Sequence, residues 1–266
     1  MVKRILTAVI LGGVVVAVLL FAPATAARAM FGLFFAAGAW EWSVFLGGEP
    51  RATRLGFVLA VALLATALRV LLAGRAEFAA LMQWSALCWA LSFFWLLLAP
   101  QRVSRWSAAL AGLLALVPTW VALSRMVEVW PRGAQWALFA LLLAFSADTG
   151  AFFAGRAFGR VKLAPRVSPG KTWEGAIGGM AVAAAVGALG ARWFALPAQI
   201  FLPLCLLAAA FSIVGDLTES MFKRAAGLKD SGSLVPGHGG VLDRIDSVLG
   251  ATPILCVGLL WLGVGA

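Results

Sequence analysis

Residues 199–222 read QIFLPLCLLAAAFSIVGDLTESMF, and residues 223–247 follow as KRAAGLKDSGSLVPGHGGVLDRIDS. The first stretch is apolar for long enough to cross a ~30 Å hydrocarbon core as a helix. The second is polar and glycine-rich, and another apolar run begins at 248. Together they predict a membrane-spanning helix, a polar loop, and a second spanning helix. The polar part is unusual for its surroundings. Residues 215–247 hold Asp216, Asp230, Asp243 and Asp246, four of the five aspartates, and the single histidine, His238. In a chain that is 63% hydrophobic and 12% charged, such a concentration needs a cause. Carboxylates near a bilayer are costly unless paired, hydrated or metal-bound.

The pattern recurs along the chain, and mean hydropathy is +0.99. We place nine spans, at 5–22, 29–47, 55–73, 78–99, 107–124, 134–155, 173–195, 199–222 and 248–265. The fold class expected is therefore all-α, a polytopic helical bundle in a single domain spanning 1–266. Within it, 1–140 reads as a helical membrane scaffold, 141–250 as the region of catalytic motifs and 251–266 as the last helix. The runs are too continuous for barrel strands, which would alternate. The first span, preceded by Lys3 and Arg4, is longer than a signal-peptide core, so an uncleaved signal-anchor is expected. Cys88, Cys205 and Cys256 are scattered through apolar spans and read as buried small residues.

Charge orients the bundle. The net charge is +10, but basic residues sit singly or in pairs between apolar runs, which argues against nucleic acid and for loops on an anionic cytoplasmic leaflet. With the N-terminus inside, only Arg28, Arg69, Arg75, Arg125, Arg132 and Arg192 fall outside. The other 15 of 21 basic residues face the cytoplasm. Both polar loops, 156–172 and 223–247, then lie inside, where nucleotides are.

Spacing gives the loops chemical meaning. Asp216, Glu219, Ser220 and Lys223 share one helix face. Asp243 and Asp246 stand three apart at the start of the last helix, where the dipole explains one acid but not two. Oxygens paired from two helices are what Mg²⁺ accepts, with water and phosphate completing its shell. Between the pairs, glycines (Gly239 and Gly240 among them) and the cations Lys223, Arg224 and Lys229 can hold phosphate oxygens. His238 can donate to phosphate or brace the loop. Upstream, Asp148 lies inside a span. Ser168-Pro-Gly-Lys171-Thr172 leads into a helix, with Ser168 as a cap and Pro169 at an early helical position. It is not a Walker A loop, because Pro165 stands where glycine is required.

The order Ser220-x-x-Lys223-Arg224-x₄-Lys229-Asp230-x-Gly232, then Pro236-x-His238-Gly239-Gly240-x-x-Asp243-Arg244-x-Asp246, closely resembles the signature of the phosphatidate cytidylyltransferases, or CDP-diacylglycerol synthases. Asp148-Thr-Gly-Ala and Ser168–Gly175 resemble further segments of that family, so the likeness is dense over roughly 148–250. Val235 departs from the larger residue usual there. The resemblance implies transfer of CMP from CTP to phosphatidate, giving CDP-diacylglycerol and pyrophosphate, in the cell (inner) membrane with the site facing the cytoplasm. It implies Mg²⁺ with a second metal ion such as K⁺, and a homodimer. Asp216, Asp243 and Asp246 would bind metal and, with Lys223, form the catalytic set. Ser168, Lys171, Thr172, Ser220, Arg224, Lys229, His238, Gly239, Gly240 and Arg244 would bind substrate. The alternative is a CTP-dependent lipid kinase, which would release CDP. A transporter would show inverted repeats and charges near mid-span, and neither is visible.

Overall fold

The computed structural model describes residues 2–47, 51–234 and 239–265. His238 therefore lies outside the described residues. Among those residues there are nine helices: α1 Val2–Phe21, α2 Ala24–Trp42, α3 Arg51–Leu71, α4 Arg75–Leu98, α5 Arg105–Val129, α6 Gly133–Phe158, α7 Trp173–Phe194, α8 Ala198–Ala225 and α9 Leu242–Trp261. A 3₁₀ turn, Ser43–Leu46, extends α2. Eight helices, α2 to α9, are long and apolar enough to cross a membrane, and the described part of α1 adds the apolar run Val9–Phe21. The all-α bundle expected from hydropathy is the fold. Most helices start earlier than their apolar runs, because Arg51, Arg75 and Arg105 continue the backbone spiral beyond the hydrocarbon.

The α9 helix is central, with Leu242, Leu249, Leu255 and Leu259 buried, whereas α3 and α4 turn leucines such as Leu63 and Leu98 outward. Bilayer lipid is as apolar as leucine, so close packing rather than water exclusion must hold helices together. Small residues supply it. A Cβ on Gly250 would strike the Phe211 carbonyl, and one on Gly215 would strike the Asp246 carbonyl. The α8 and α9 backbones thus touch just where each carries its carboxylates. Pro253 lacks the N–H that would bond the Leu249 carbonyl. The Thr119 hydroxyl of α5, which donates to Ala115 O at 2.8 Å, stands 3.3 Å from that orphaned oxygen.

The α8 helix stops just past its charged residues by a glycine closure. Leu228 N donates to Lys223 O and Gly227 N to Arg224 O, with Gly227 at φ 70°. That pairing with a left-handed glycine satisfies the last carbonyls of the helix.

Two features depart from expectation. Ser168–Thr172 is not a helix-capping loop. It forms strand β2, paired antiparallel with β1, Lys162–Ala164. The cap is Thr172, whose Oγ1 accepts from Gly175 N at 3.2 Å, so Ser168 and Pro169 lie in the strand before α7. The cause is Glu174, whose carboxylate accepts from the amides of Arg160 and Val161 at 3.1 Å and draws the chain back into a hairpin.

At the opposite end of the bundle, Glu128 accepts from Arg28 Nη1 at 2.5 Å and from Arg69 Nη2 at 2.6 Å, joining α5 to α2 and α3. Arg125 donates to Leu72 O at 3.2 Å, and Arg132 to Trp193 O at 3.2 Å. These cations are committed to the fold.

The close α8–α9 contact generates a prediction with opposite signs at two glycines. Gly250→Ala overfills the crossing and should cost about 1–3 kcal/mol. Gly56→Ala, in the open middle of α3 where a Cβ meets nothing, should gain about 0.5–1 kcal/mol from helix propensity. Thermal denaturation in detergent micelles checks both, and equal shifts would refute the packing argument.

Candidate active site

The C-terminal ends of α6 and α8, the N-terminal ends of α7 and α9, and the hairpin meet at one end of the bundle. Between α6, α7, α8 and the hairpin lies a cleft of about 400 Å³, lined by Asp148, Phe152, Arg156, Lys171, Thr172 and Asp216 among others. Lys171 projects from β2, and its ammonium lies 2.5 Å from Asp216 Oδ2. Ser220 Oγ donates to Asp216 Oδ1 at 3.3 Å, one helical turn along. The i, i+4 spacing read from the sequence therefore produces a contact.

Deeper in, Lys223 is the hub. Its Nζ donates to Glu219 Oε2 and to Asp243 Oδ1, both at 2.7 Å, and the three side chains are almost wholly buried. Asp243 also accepts from the amides of Ser231 at 3.1 Å and Gly240 at 2.8 Å. Three donors thus fix a single carboxylate. This is strong preorganisation, since bonds to ionised groups exceed neutral ones.

Asp246 is buried, with Oδ1 accepting from Ser247 N at 2.7 Å. It lies in the electrostatic field of Asp216, Glu219 and Asp148. Asp148 in turn feels Asp216, Lys171 and Arg244. The trio predicted to bind metal is thus divided by environment. Asp216 and Asp246 share one neighbourhood, and Asp243 is held in the adjoining one by Lys223. Among the described residues no group of three or more His, Cys, Asp or Glu side chains is already arranged as a metal cage.

The residues nevertheless suit a hard cation. Asp148, Asp216, Glu219 and Asp246 are four acids in mutual contact or field, and Glu219 Oε1 is buried with no donor. Carboxylates crowded in a buried place require a shared proton or a cation between them. Mg²⁺ takes oxygen ligands and needs only one or two carboxylates beside water and phosphate.

The remaining expected residues are placed less centrally. Arg224 donates to the Val167 carbonyl at 3.3 Å and to the Leu228 carbonyl at 3.2 Å, tying α8 to the hairpin and to its own terminal turn. Lys229 is exposed beyond α8, Ser168 is half-buried in β2, and Arg244 is exposed on the first turn of α9. Gly239 has φ 78°, and Gly240 gives its amide to Asp243.

Sequence reasoning missed Glu41. It sits on α2, fully buried, and its Oε2 accepts from Leu242 N at 2.7 Å and from Ser231 Oγ at 3.4 Å. An acid within an apolar span, flanked by Trp40 and Trp42, is the signal that would have found it.

Burial sets a contrast in stability. Removing Lys223 leaves two buried carboxylates without their partner, so Lys223→Met should cost about 3–5 kcal/mol. The Lys171–Asp216 pair is a quarter exposed, and Lys171→Met should cost about 0–1 kcal/mol. Denaturation midpoints of the two variants in the same detergent test this. Comparable losses would overturn the assignment of Lys223 as the hub.

The cytidylyltransferase family model matches residues 2–261. A phosphatidate cytidylyltransferase of Pseudomonas aeruginosa is 43% identical over 247 residues, covering 88% of each chain. Another, of Haemophilus influenzae, is 38% identical over 278 residues, covering 94% of this chain and 96% of the relative. A third, of Brucella suis, is 51% identical over 126 residues, 47% of each chain.

Proposed function

The chain belongs to the cytidylyltransferase family, and from that membership and the geometry of the cleft we propose how it carries out the reaction its relatives are named for. It transfers CMP from CTP to phosphatidate, forming CDP-diacylglycerol and pyrophosphate. The observation that carries the site assignment is the meeting of Lys171 from the hairpin with Asp216 from α8 in one cleft, next to the Lys223 hub.

A phosphate oxygen of phosphatidate attacks the α-phosphorus of CTP, and the bond to the β-phosphate oxygen breaks as pyrophosphate leaves. The attacking oxygen is already anionic, so no strong base is needed. The protein's task is to hold two anions in line and to stabilise charge on the leaving group. Lys171 sits at the cleft wall to meet triphosphate oxygens, exchanging its bond to Asp216 for one to substrate. Lys223, fixed by Glu219 and Asp243, presents a positive charge that cannot swing away. Ser220 holds the cleft residue Asp216, and Gly240 holds Asp243.

Asp216 and Asp246 would hold Mg²⁺, with Asp148 strengthening their field and room in charge for a second ion such as K⁺. When bound, the ion supplies charge neutralisation to the phosphates. Acyl chains need an apolar path. Phe152 lines the cleft and is exposed, and Phe153, Trp173 and Ile177 on the same two helices are exposed as well. That surface supports lateral entry of the lipid acceptor from the leaflet. The same end of the bundle exposes Arg51, Arg102, Arg105, Arg156, Arg160, Lys162 and Arg166, which supports a cytoplasmic site in a bacterial inner membrane.

Purified protein given CTP, phosphatidate and increasing Mg²⁺ should release pyrophosphate in step with CDP-lipid. CDP as the nucleotide product would make the chain a kinase. Asp246→Asn should lower kcat by roughly 10²–10³-fold, the scale of losing one preorganised electrostatic group, and Asp216→Asn should raise the Mg²⁺ needed for half-maximal rate. An unchanged Mg²⁺ profile in both would remove them as ligands. For topology, Arg102→Cys in a cysteine-free background should react with an impermeant maleimide only after intact cells are opened. Labelling of intact cells would reverse the orientation.

A further inference from the structure

Glu41 belongs to the half of the chain read as scaffold, yet its bonds go to the catalytic loop. Its Oε2 accepts from the Leu242 amide at 2.7 Å and from the Ser231 hydroxyl at 3.4 Å. Ser231 and Gly240 give their backbone amides to Asp243. The same short stretch is therefore gripped from two sides, by Asp243 on α9 and by Glu41 on α2. The fit is close. A Cβ on either Gly232 or Gly240 would collide with the Glu41 carboxylate.

The position of Glu41 is itself fixed. Its neighbour Trp42 donates from Nε1 to Ala108 O at 2.8 Å. Trp42 and Phe45 pack on Phe222 with ring centroids 5.2 and 6.1 Å away. Phe222 immediately precedes Lys223. One aromatic cluster thus sets α2 against the α8 turn that carries the hub lysine, while Glu41 sets α2 against the loop that feeds Asp243. Burying a carboxylate to bond one amide and one hydroxyl is a poor way to gain stability. As a clamp on geometry it has a purpose, because misplacement by about 1 Å can cost about 10²-fold in rate.

We propose that Glu41 is a positioning residue, which holds Ser231 and Leu242 so that Asp243 and Lys223 stand preset for phosphate transfer. Glu41 is not among the residues that line the cleft. The proposal rests on the reading of Lys223 and Asp243 as site residues.

Glu41→Gln keeps an oxygen able to accept from the Leu242 amide, and Glu41→Ala does not. Expected for Glu41→Ala is a kcat lower by about 10²-fold, with KM for CTP within about threefold of wild type. Amide exchange of residues 239–242, followed by mass spectrometry in micelles, should quicken by roughly tenfold, while exchange in α3 and α5 stays unchanged. Glu41→Gln should stay within about threefold of wild type in both readouts. Should Glu41→Ala not fold, Ser231→Ala takes its place: it removes the hydroxyl bond to Glu41, keeps the amide bond to Asp243, and should show the same kcat and exchange changes in smaller measure. Unchanged loop exchange in the loss variant, or Glu41→Gln as inactive as Glu41→Ala, overturns the proposal. Quickened exchange with no loss of kcat would instead keep the clamp and strike the catalytic reading of Lys223 and Asp243.

Discussion

The ammonium of Lys223, shared at 2.7 Å between Glu219 and Asp243, is the contact on which the working end of this bundle depends. Its partners come from two helices and it is nearly out of reach of water. In that setting a charge pair is worth having only if each member is fully engaged, and removal of any one strands the others. The contact also fixes a rotation. It requires α8 to turn the face bearing Asp216 and Ser220 toward α9 and the cleft, which sends Phe222 to the opposite side among Trp42, Phe45 and Trp95. One helix thereby separates an aromatic interior from a polar site.

Around this hub the charges do not balance. Glu41, Asp148, Asp216, Glu219, Asp243 and Asp246 are six acids, and Lys171, Lys223 and Arg244 are the cations that face them. A protein built for stability alone would have replaced several of these with leucine at little cost. The surplus has a use if the site waits for cations that arrive with a polyphosphate. Lys171 behaves as a placeholder in that scheme, since its pair with Asp216 is partly solvated and easily exchanged.

Much of this was legible in the sequence because it is local. The spans followed from apolar run length, and the stripe of Asp216, Ser220 and Lys223 from helical spacing. The antiparallel hairpin was not legible, because Ser168–Thr172 carries a proline and two residues that also suit a helix start. What decides it is Glu174 reaching back to the amides of Arg160 and Val161, a contact across more than ten residues. The division of the aspartates was hidden for a similar reason. Asp243 and Asp246 stand three apart on α9, yet one meets Lys223 and loop amides while the other meets buried acids. Periodicity gives a shared face but not what opposes it. Glu41 was visible as a lone acid in an apolar helix. Its partner, Leu242, is 201 residues away, and no local pattern names such a partner.

The two ends of the bundle spend their charges differently, and this difference ties the fold to its chemistry. At the end remote from the cleft, Glu128 holds Arg28 and Arg69, and further arginines cap carbonyls or cover aromatic rings. Those groups answer one another. At the cleft end, small residues bring α8 and α9 into backbone contact, so that carboxylates which would repel are held together by packing. Repulsion stored in this way is relieved by a shared proton or by a cation, and so the close glycine crossing and the acid cluster are parts of one device. A loosened crossing would let the acids separate and hydrate before the bundle lost its fold.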